Sequence, residues 1–133
     1  MGIERPNILL EPEGRNTAPA AAAAAHFVTE QHGPDALILL MAADQTISDT
    51  EAFVASAVKA AEAARAGRLV TFGIKPTAPE TGFGYLQAGK ALSGVEGCFE
   101  VSGFFEKPER ERAEQYLKDG GFFWNGGMFL FSA

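Results

Sequence analysis

Residues 36–41 read ALILLM, an unbroken apolar run. Gly33-Pro34-Asp35 breaks the chain before it, and Ala42-Ala43-Asp44-Gln45 leads away from it into polar sequence. A run this short and apolar at every position is a strand covered on both faces, the kind that helices flank in an α/β sheet. Asp49 and Thr50 are residue types that cap a helix, and Phe53, Val54, Ala57, Val58 and Ala61 recur on one stripe as far as about Arg65. Gly67 stands where a C-terminal glycine belongs, and residues 69–74 (LVTFGI) read as the next strand. Strand, helix, strand at this spacing is a βαβ unit with a right-handed crossover. The expected architecture is therefore α/β, a mostly parallel sheet with flanking helices.

The rest of the chain is read around that unit. Residues 7–10 are a short apolar stretch of strand type, followed by the polar loop Glu11-Pro12-Glu13-Gly14-Arg15-Asn16-Thr17. A helix follows, with Asn16 or Thr17 as its cap, Pro19 in its first turn and six alanines, 20–25, as strong helix formers. Such small side chains let a helix pack close against a sheet. After Ile74 the pattern changes to shorter strands at 84–87, 99–106 and 127–131, with a charged helix at 109–118 stopped by Gly120-Gly121. One domain is expected over 1–133, with residues 1–74 forming its βαβ side and 75–133 its second side. Residues 122–133 are strongly apolar and stop without a polar tail, and the first apolar strand begins a few residues after Met1. Both ends therefore read as internal to a longer chain.

Composition narrows the function. The net charge of -6 argues against binding nucleic acid or an anionic membrane non-specifically. The single cysteine, Cys98, has no internal partner, so a reducing compartment is the default. No apolar run approaches the roughly 20 residues of a spanning helix, and residues 1–7 contain no apolar signal segment. The expected location is the cytoplasm. His26 and His32 have no cysteine or paired carboxylate at ligand spacing, so a histidine metal cluster or a Cys–His nucleophile has no support.

Five places carry chemistry. Asp44 lies just beyond the carboxyl end of a buried strand, the edge where open α/β sheets bind ligands. A carboxylate there can hold a magnesium ion against a phosphate, or simply form a turn with Thr46 or Ser48. Glu106 and Lys107 emerge after Phe104-Phe105, just before Pro108. Glu106 can accept from hydroxyls and Lys107 can meet a phosphate, or the two can be a surface ion pair. A bulge before Pro108 would aim both at one ligand, since adjacent strand residues otherwise face opposite ways. Gly82-Phe83-Gly84-Tyr85 suits a loop lying against a sugar, and equally a hairpin turn. Asn125, between an aromatic cluster and Gly126-Gly127, offers an amide to a cleft or marks a bulge. Arg15, Asn16 and Thr17 open a helix, where a base or phosphate can be held, though a bare cap is the commoner meaning.

In order along the chain stand EPEGRNTAPA (11–20), MAAD (41–44), PETGFGY (79–85), FFEKP (104–108) and FWNGGMFLF (123–131). This string resembles the mannose-1-phosphate guanylyltransferases, of the bacterial type that often carries a fused phosphomannose isomerase domain. The resemblance implies an incomplete Rossmann-like nucleotidyltransferase fold. It also implies conversion of GTP and mannose 1-phosphate to GDP-mannose and pyrophosphate, with Mg2+, in polysaccharide biosynthesis. By that resemblance Asp44 holds the metal and Lys107 contacts the sugar phosphate, these two being catalytic. Gly84, Tyr85, Glu106 and Asn125 bind the sugar, and Arg15, Asn16 and Thr17 lie near guanine. A homo-oligomer is compatible with the resemblance and is not required by it.

The chain departs from the family pattern at several points. Met41-Ala42 stands where the family usually has Leu-Pro, Gln45 where it has His, and Asn125-Gly126-Gly127-Met128 where it has Asn-Ser-Gly-Met. The family's glycine-rich triphosphate loop, with its Arg and Lys, and its second metal-holding aspartate are not among the 133 residues. The expectation is that this chain alone makes no GDP-mannose. The alternatives are another sugar-1-phosphate nucleotidylyltransferase, or a non-catalytic sugar-nucleotide-binding module.

Overall fold

The computed structural model describes residues 6–133, so most of the stretch searched for a signal segment lies outside the described residues. Three helices and five strands follow one another: α1 (Thr17–His32), β1 (Leu37–Leu40), α2 (Thr50–Arg65), β2 (Val70–Ile74), β3 (Gly84–Ala91), β4 (Phe99–Glu106), α3 (Arg110–Asp119) and β5 (Phe122–Ser132). All five strands join one sheet in the order β1-β5-β3-β4, with β2 on the other side of β5. The α/β class holds, but the parallel sheet is corrected. β5 pairs antiparallel with β1, β2 and β3, and β3 pairs antiparallel with β4. β1 and β2 do run in the same direction, since each opposes β5, but β5 lies between them. An unbroken apolar run reports cover on both faces and says nothing about a neighbour's direction. β5 also comes from the second half of the sequence, so the two halves share one sheet.

The helix limits follow local chemistry. Asp49 caps α2, its carboxylate accepting from the Ala52 N–H at 2.9 Å. Ala60, Ala63 and Ala64 are buried on α2, and Ala60 and Ala64 meet Leu130 in a cluster completed by Leu37, Ala61, Val70 and Phe72. Small side chains there let the helix sit close to the sheet. Val54 and Val58, expected on the buried stripe, are instead exposed, because the contact runs through Phe53, Ala57, Ala60 and Ala64. A second cluster covers the other end of β5. Tyr85, Ala113 and Tyr116 pack with Phe105, Leu117, Phe122 and Trp124, and the Tyr116 and Phe122 rings stack at 4.1 Å.

Two further expectations change. Residues 7–10 form no strand, and Ile8 and Leu10 are exposed, because no neighbouring strand among the described residues pairs with them. An apolar run becomes a strand only where a partner supplies the ladder. β5 starts at Phe122 rather than 127, because the glycines at 126 and 127 bend the strand without ending it. Its register against β2 passes from Thr71↔Phe129 to Gly73↔Asn125, so β5 carries two extra residues across that step. Gly127, at φ 66, makes the bulge, and glycine adopts that left-handed conformation without a steric penalty.

Candidate functional site

The bulge and the edge of β3–β4 bring most of the candidate residues together. Gly84 faces Glu106 across β3–β4, and Tyr85 faces Trp124 across β3–β5. One step further along that second register sets Gly84 opposite Asn125. Glu106, Gly84 and Asn125 thus lie in one row across three strands, and residues in one row of a sheet project to the same face. Gly84 keeps the row open. A Cβ at Gly84 would stand 2.9 Å from Glu106 Oε2 and 2.9 Å from Phe104 Cζ. The glycine therefore serves here by its missing side chain.

Lys107 joins Glu106 through a turn. Its φ of 45 is left-handed, a conformation rare for a residue with a Cβ and costing about 1–2 kcal/mol. The turn is fastened by a hydrogen bond from Lys107 N–H to the Phe83 carbonyl at 3.2 Å. It sets Lys107 Nζ 3.9 Å from Glu106 Oε1, although successive strand residues would otherwise diverge. Both side chains are more than half exposed. An ion pair so wet is weak, which leaves both groups free to exchange it for a ligand.

Asp44 is linked to this region through its neighbour. It lies in the exposed loop after β1, and its neighbour Gln45 donates from Nε2 to the Gly126 carbonyl at 2.9 Å. One hydrogen bond thus ties the Asp44 loop to the residue after Asn125. Asn125 itself is held by its Oδ1, which accepts from Thr71 Oγ1 at 3.0 Å and from the Gly127 N–H at 3.3 Å. The amide NH2 is the end left to face a ligand. Gln45 and Thr71 were not among the expected site residues. Gln45 was visible as the neighbour of Asp44 and as a departure from the family's His, and Thr71 only as the polar residue alternating with Val70 and Phe72 in β2.

Tyr85 has its ring fully buried in the second cluster, and its hydroxyl donates to the Glu80 carbonyl at 2.9 Å. Its side chain fastens the 79–84 loop to the core. Strand alternation turns it away from Gly84. Arg15, Asn16 and Thr17 stand apart. Arg15 Nη2 pairs with Glu13 Oε2 at 2.6 Å, and Asn16 makes no side-chain cap bond. The left-handed φ of 63 at Asn16 departs from the extended backbone of a capping residue. The helix N–H groups there are left uncapped by that side chain. Cys98 has Lys59 and Glu62 as charged neighbours. Burial, then Glu62, raises its thiol above the ordinary 9.0, with Lys59 opposing. A raised pKa makes it a poorer nucleophile at neutral pH.

Known proteins give this geometry a context. The family described as nucleotidyl transferase matches residues 3–133. The xanthan biosynthesis protein XanB of Xanthomonas campestris pv. campestris (strain B100) is 51% identical over 133 residues, which is 100% of this chain and 27% of that protein. The mannose-1-phosphate guanylyltransferase of Escherichia coli (strain K12) is 50% identical over 131 residues, covering 96% of this chain and 27% of that one. Among solved structures, a Thermus thermophilus protein described as a mannose-1-phosphate geranyltransferase superposes with a TM-score of 0.82 at 35% identity. That match takes in 93% of this chain and 35% of the other. A mannose-6-phosphate isomerase from Helicobacter pylori follows at TM-score 0.76 and 35% identity, over 92% and 44% of the two chains. The chain thus spans 27% of the length of these curated relatives.

Proposed function

The chain belongs to the nucleotidyl transferase family, and on that footing we propose that it is the sugar-phosphate half of a mannose-1-phosphate guanylyltransferase. The observation that carries the reading is the row of Glu106, Gly84 and Asn125, with Lys107 turned in beside Glu106 and the Asp44 loop tied to the Asn125 bulge. An acceptor carboxylate, an open backbone and a donor amide on one face suit the hydroxyls of a hexose. A cation at the rim suits its phosphate. Relatives at about 50% identity bear the name of that enzyme.

In the proposed reaction an oxygen of the sugar phosphate attacks the α-phosphorus of GTP in line. The new P–O bond forms as the bond to the β-phosphate oxygen breaks, and pyrophosphate leaves. No protein nucleophile takes part, so these side chains act by positioning and by neutralising charge. Lys107 holds the sugar phosphate, Glu106 accepts from sugar hydroxyls and Asn125 donates to one. Gly84 lets the sugar lie against the backbone. Arg15, Asn16 and Thr17 form the nucleotide side at the start of α1.

Among the described residues no cluster of three or more metal-ligating side chains exists. A single exposed carboxylate is still a fit for Mg2+, which is commonly held by one or two carboxylates and completes its shell with phosphate oxygens and water. Asp44 would be that ligand, and the ion would draw charge from the reacting phosphates. The expected setting is the cytoplasm. No helix among the described residues is long and apolar enough to cross a membrane.

Titration of the 15N-labelled chain with mannose 1-phosphate, followed by NMR, tests the reading. Mannose 1-phosphate is expected to shift the signals of Glu106, Lys107 and Asn125 more than glucose or galactose 1-phosphate does. Lys107→Ala is expected to weaken binding about tenfold or more, as for a lost charged hydrogen bond. No pyrophosphate release from GTP is expected from the 133-residue chain by itself. Sugar phosphates that leave all three signals in place would end the proposal.

A further inference from the structure

We infer that Thr71 and Gln45 are positioning residues that fix the direction of the Asn125 amide and lock the Asp44 loop to it; this rests on the reading of Asn125 as a sugar ligand. The argument starts from a backbone donor. Gly127 N–H lies 3.3 Å from Asn125 Oδ1, and of the two ends of an amide only the oxygen can accept from an N–H. The amide oxygen therefore faces into the bulge and the NH2 faces out of it. Thr71 Oγ1 strengthens that choice from the neighbouring strand, at 3.0 Å from the same Oδ1. Its one proton is shared with the Met128 carbonyl at 3.2 Å, so the hydroxyl spans the bulge from its first residue to its last.

Gln45 holds the bulge from the opposite side. Its Nε2 donates to the Gly126 carbonyl at 2.9 Å, and a Cβ on Gly127 would lie 3.6 Å from that nitrogen. Gly126 is buried, and its position admits almost nothing larger, since a Cβ there would stand 2.8 Å from the Phe72 carbonyl oxygen. The bulge is thus gripped between β2 and the loop after β1. Asp44 and Asn125 each sit one residue from the Gln45–Gly126 contact. A shift of the bulge would consequently move the phosphate side and the sugar side together. The requirement on Gln45 is a donor of its length, and that on Thr71 is a hydroxyl.

Thr71→Val, Thr71→Ser and Gln45→Leu separate this role from simple packing. The first reading is the side-chain NH2 signal of Asn125 in the ligand-free 15N-labelled chain. It is expected to move toward the position of a solvent-exposed asparagine in Thr71→Val and to stay in place in Thr71→Ser. The second is affinity for mannose 1-phosphate, expected to fall about threefold to tenfold in Thr71→Val and Gln45→Leu and to recover in Thr71→Ser, as for one neutral hydrogen bond. An unchanged Asn125 signal in both Thr71→Val and Gln45→Leu would overturn the inference. A wild-type chain that binds no sugar phosphate, while the Asn125 signal still responds to Thr71→Val, would sink the sugar-site reading and leave the brace standing. Should Thr71→Val fail to fold, Gln45→Leu carries the same two readings.

Discussion

Gly84 separates a residue's role in the site from its role in stability. The atoms its absent Cβ would crowd are Glu106 Oε2 and Phe104 Cζ, the far ends of two side chains that both reach solvent. They can swing aside at little cost, and Gly84 has no left-handed φ that only glycine would accept. Gly84→Ala should therefore lower stability by no more than about 1 kcal/mol, the middle of the range for point substitutions generally. It should still displace the Glu106 carboxylate from the row and weaken mannose 1-phosphate binding about tenfold. Thermal melts alongside titrations check both halves. A large loss of stability with affinity intact would mean that the glycine serves packing alone. Gly127 is the opposite case, since its φ of 66 makes any side chain there strained.

At the level of elements, α1 and α2 are equally long and differently anchored. α1 buries no residue, while α2 buries Ala60, Ala63 and Ala64 against the sheet. Alanine propensity alone leaves a helix of this length marginal in water, because nucleation is costly and packing supplies most helical stability. Hydrogen exchange in this chain should therefore run about tenfold or more faster in α1 than in α2. Equal protection of the two would show that α1 is held by contacts beyond those described. The contrast also bears on what sequence could reveal. Both helices were legible from their alanines and terminal glycines, α2 also from its Asp49 cap, and β4 was legible to the residue. Local chemistry sets those limits. Gly84, Glu106, Lys107, Asn125 and Asp44 could be singled out from residue type and place, but the row of Glu106, Gly84 and Asn125 depends on register across three strands. Register is a long-range property, which also hid the antiparallel insertion of β5 and the roles of Thr71 and Gln45. Tyr85 shows the same limit, since only the direction of its strand face shows that its ring enters the core.

For the whole molecule, β5 is the common member. It pairs with β1, β2 and β3, and the two buried clusters lie on it, one around Leu130 and the other around Phe122 and Trp124. Each cluster takes side chains from β5, Leu130 in one and Phe122 and Trp124 in the other, so the two should melt as one unit. Leu130 is the place to test this, being 4% exposed and central to the cluster under α2. Leu130→Ala removes most of a buried side chain and should cost about 2–5 kcal/mol, against total stabilities of about 5–15 kcal/mol for domains generally. The melting temperature should then fall by roughly 10–20 °C for a chain of this size. The decisive point is which probes move. Far-UV circular dichroism reports the helices, and near-UV circular dichroism reports Tyr85, Tyr116 and Trp124 in the other cluster. Both transitions should shift by the same amount in Leu130→Ala. A near-UV transition that stays at its wild-type temperature would show that the sugar-side cluster folds without the rest. In that case β5 would join two independent units, and Asn125, at the bulge between the clusters, would lie at a hinge rather than on a fixed shelf.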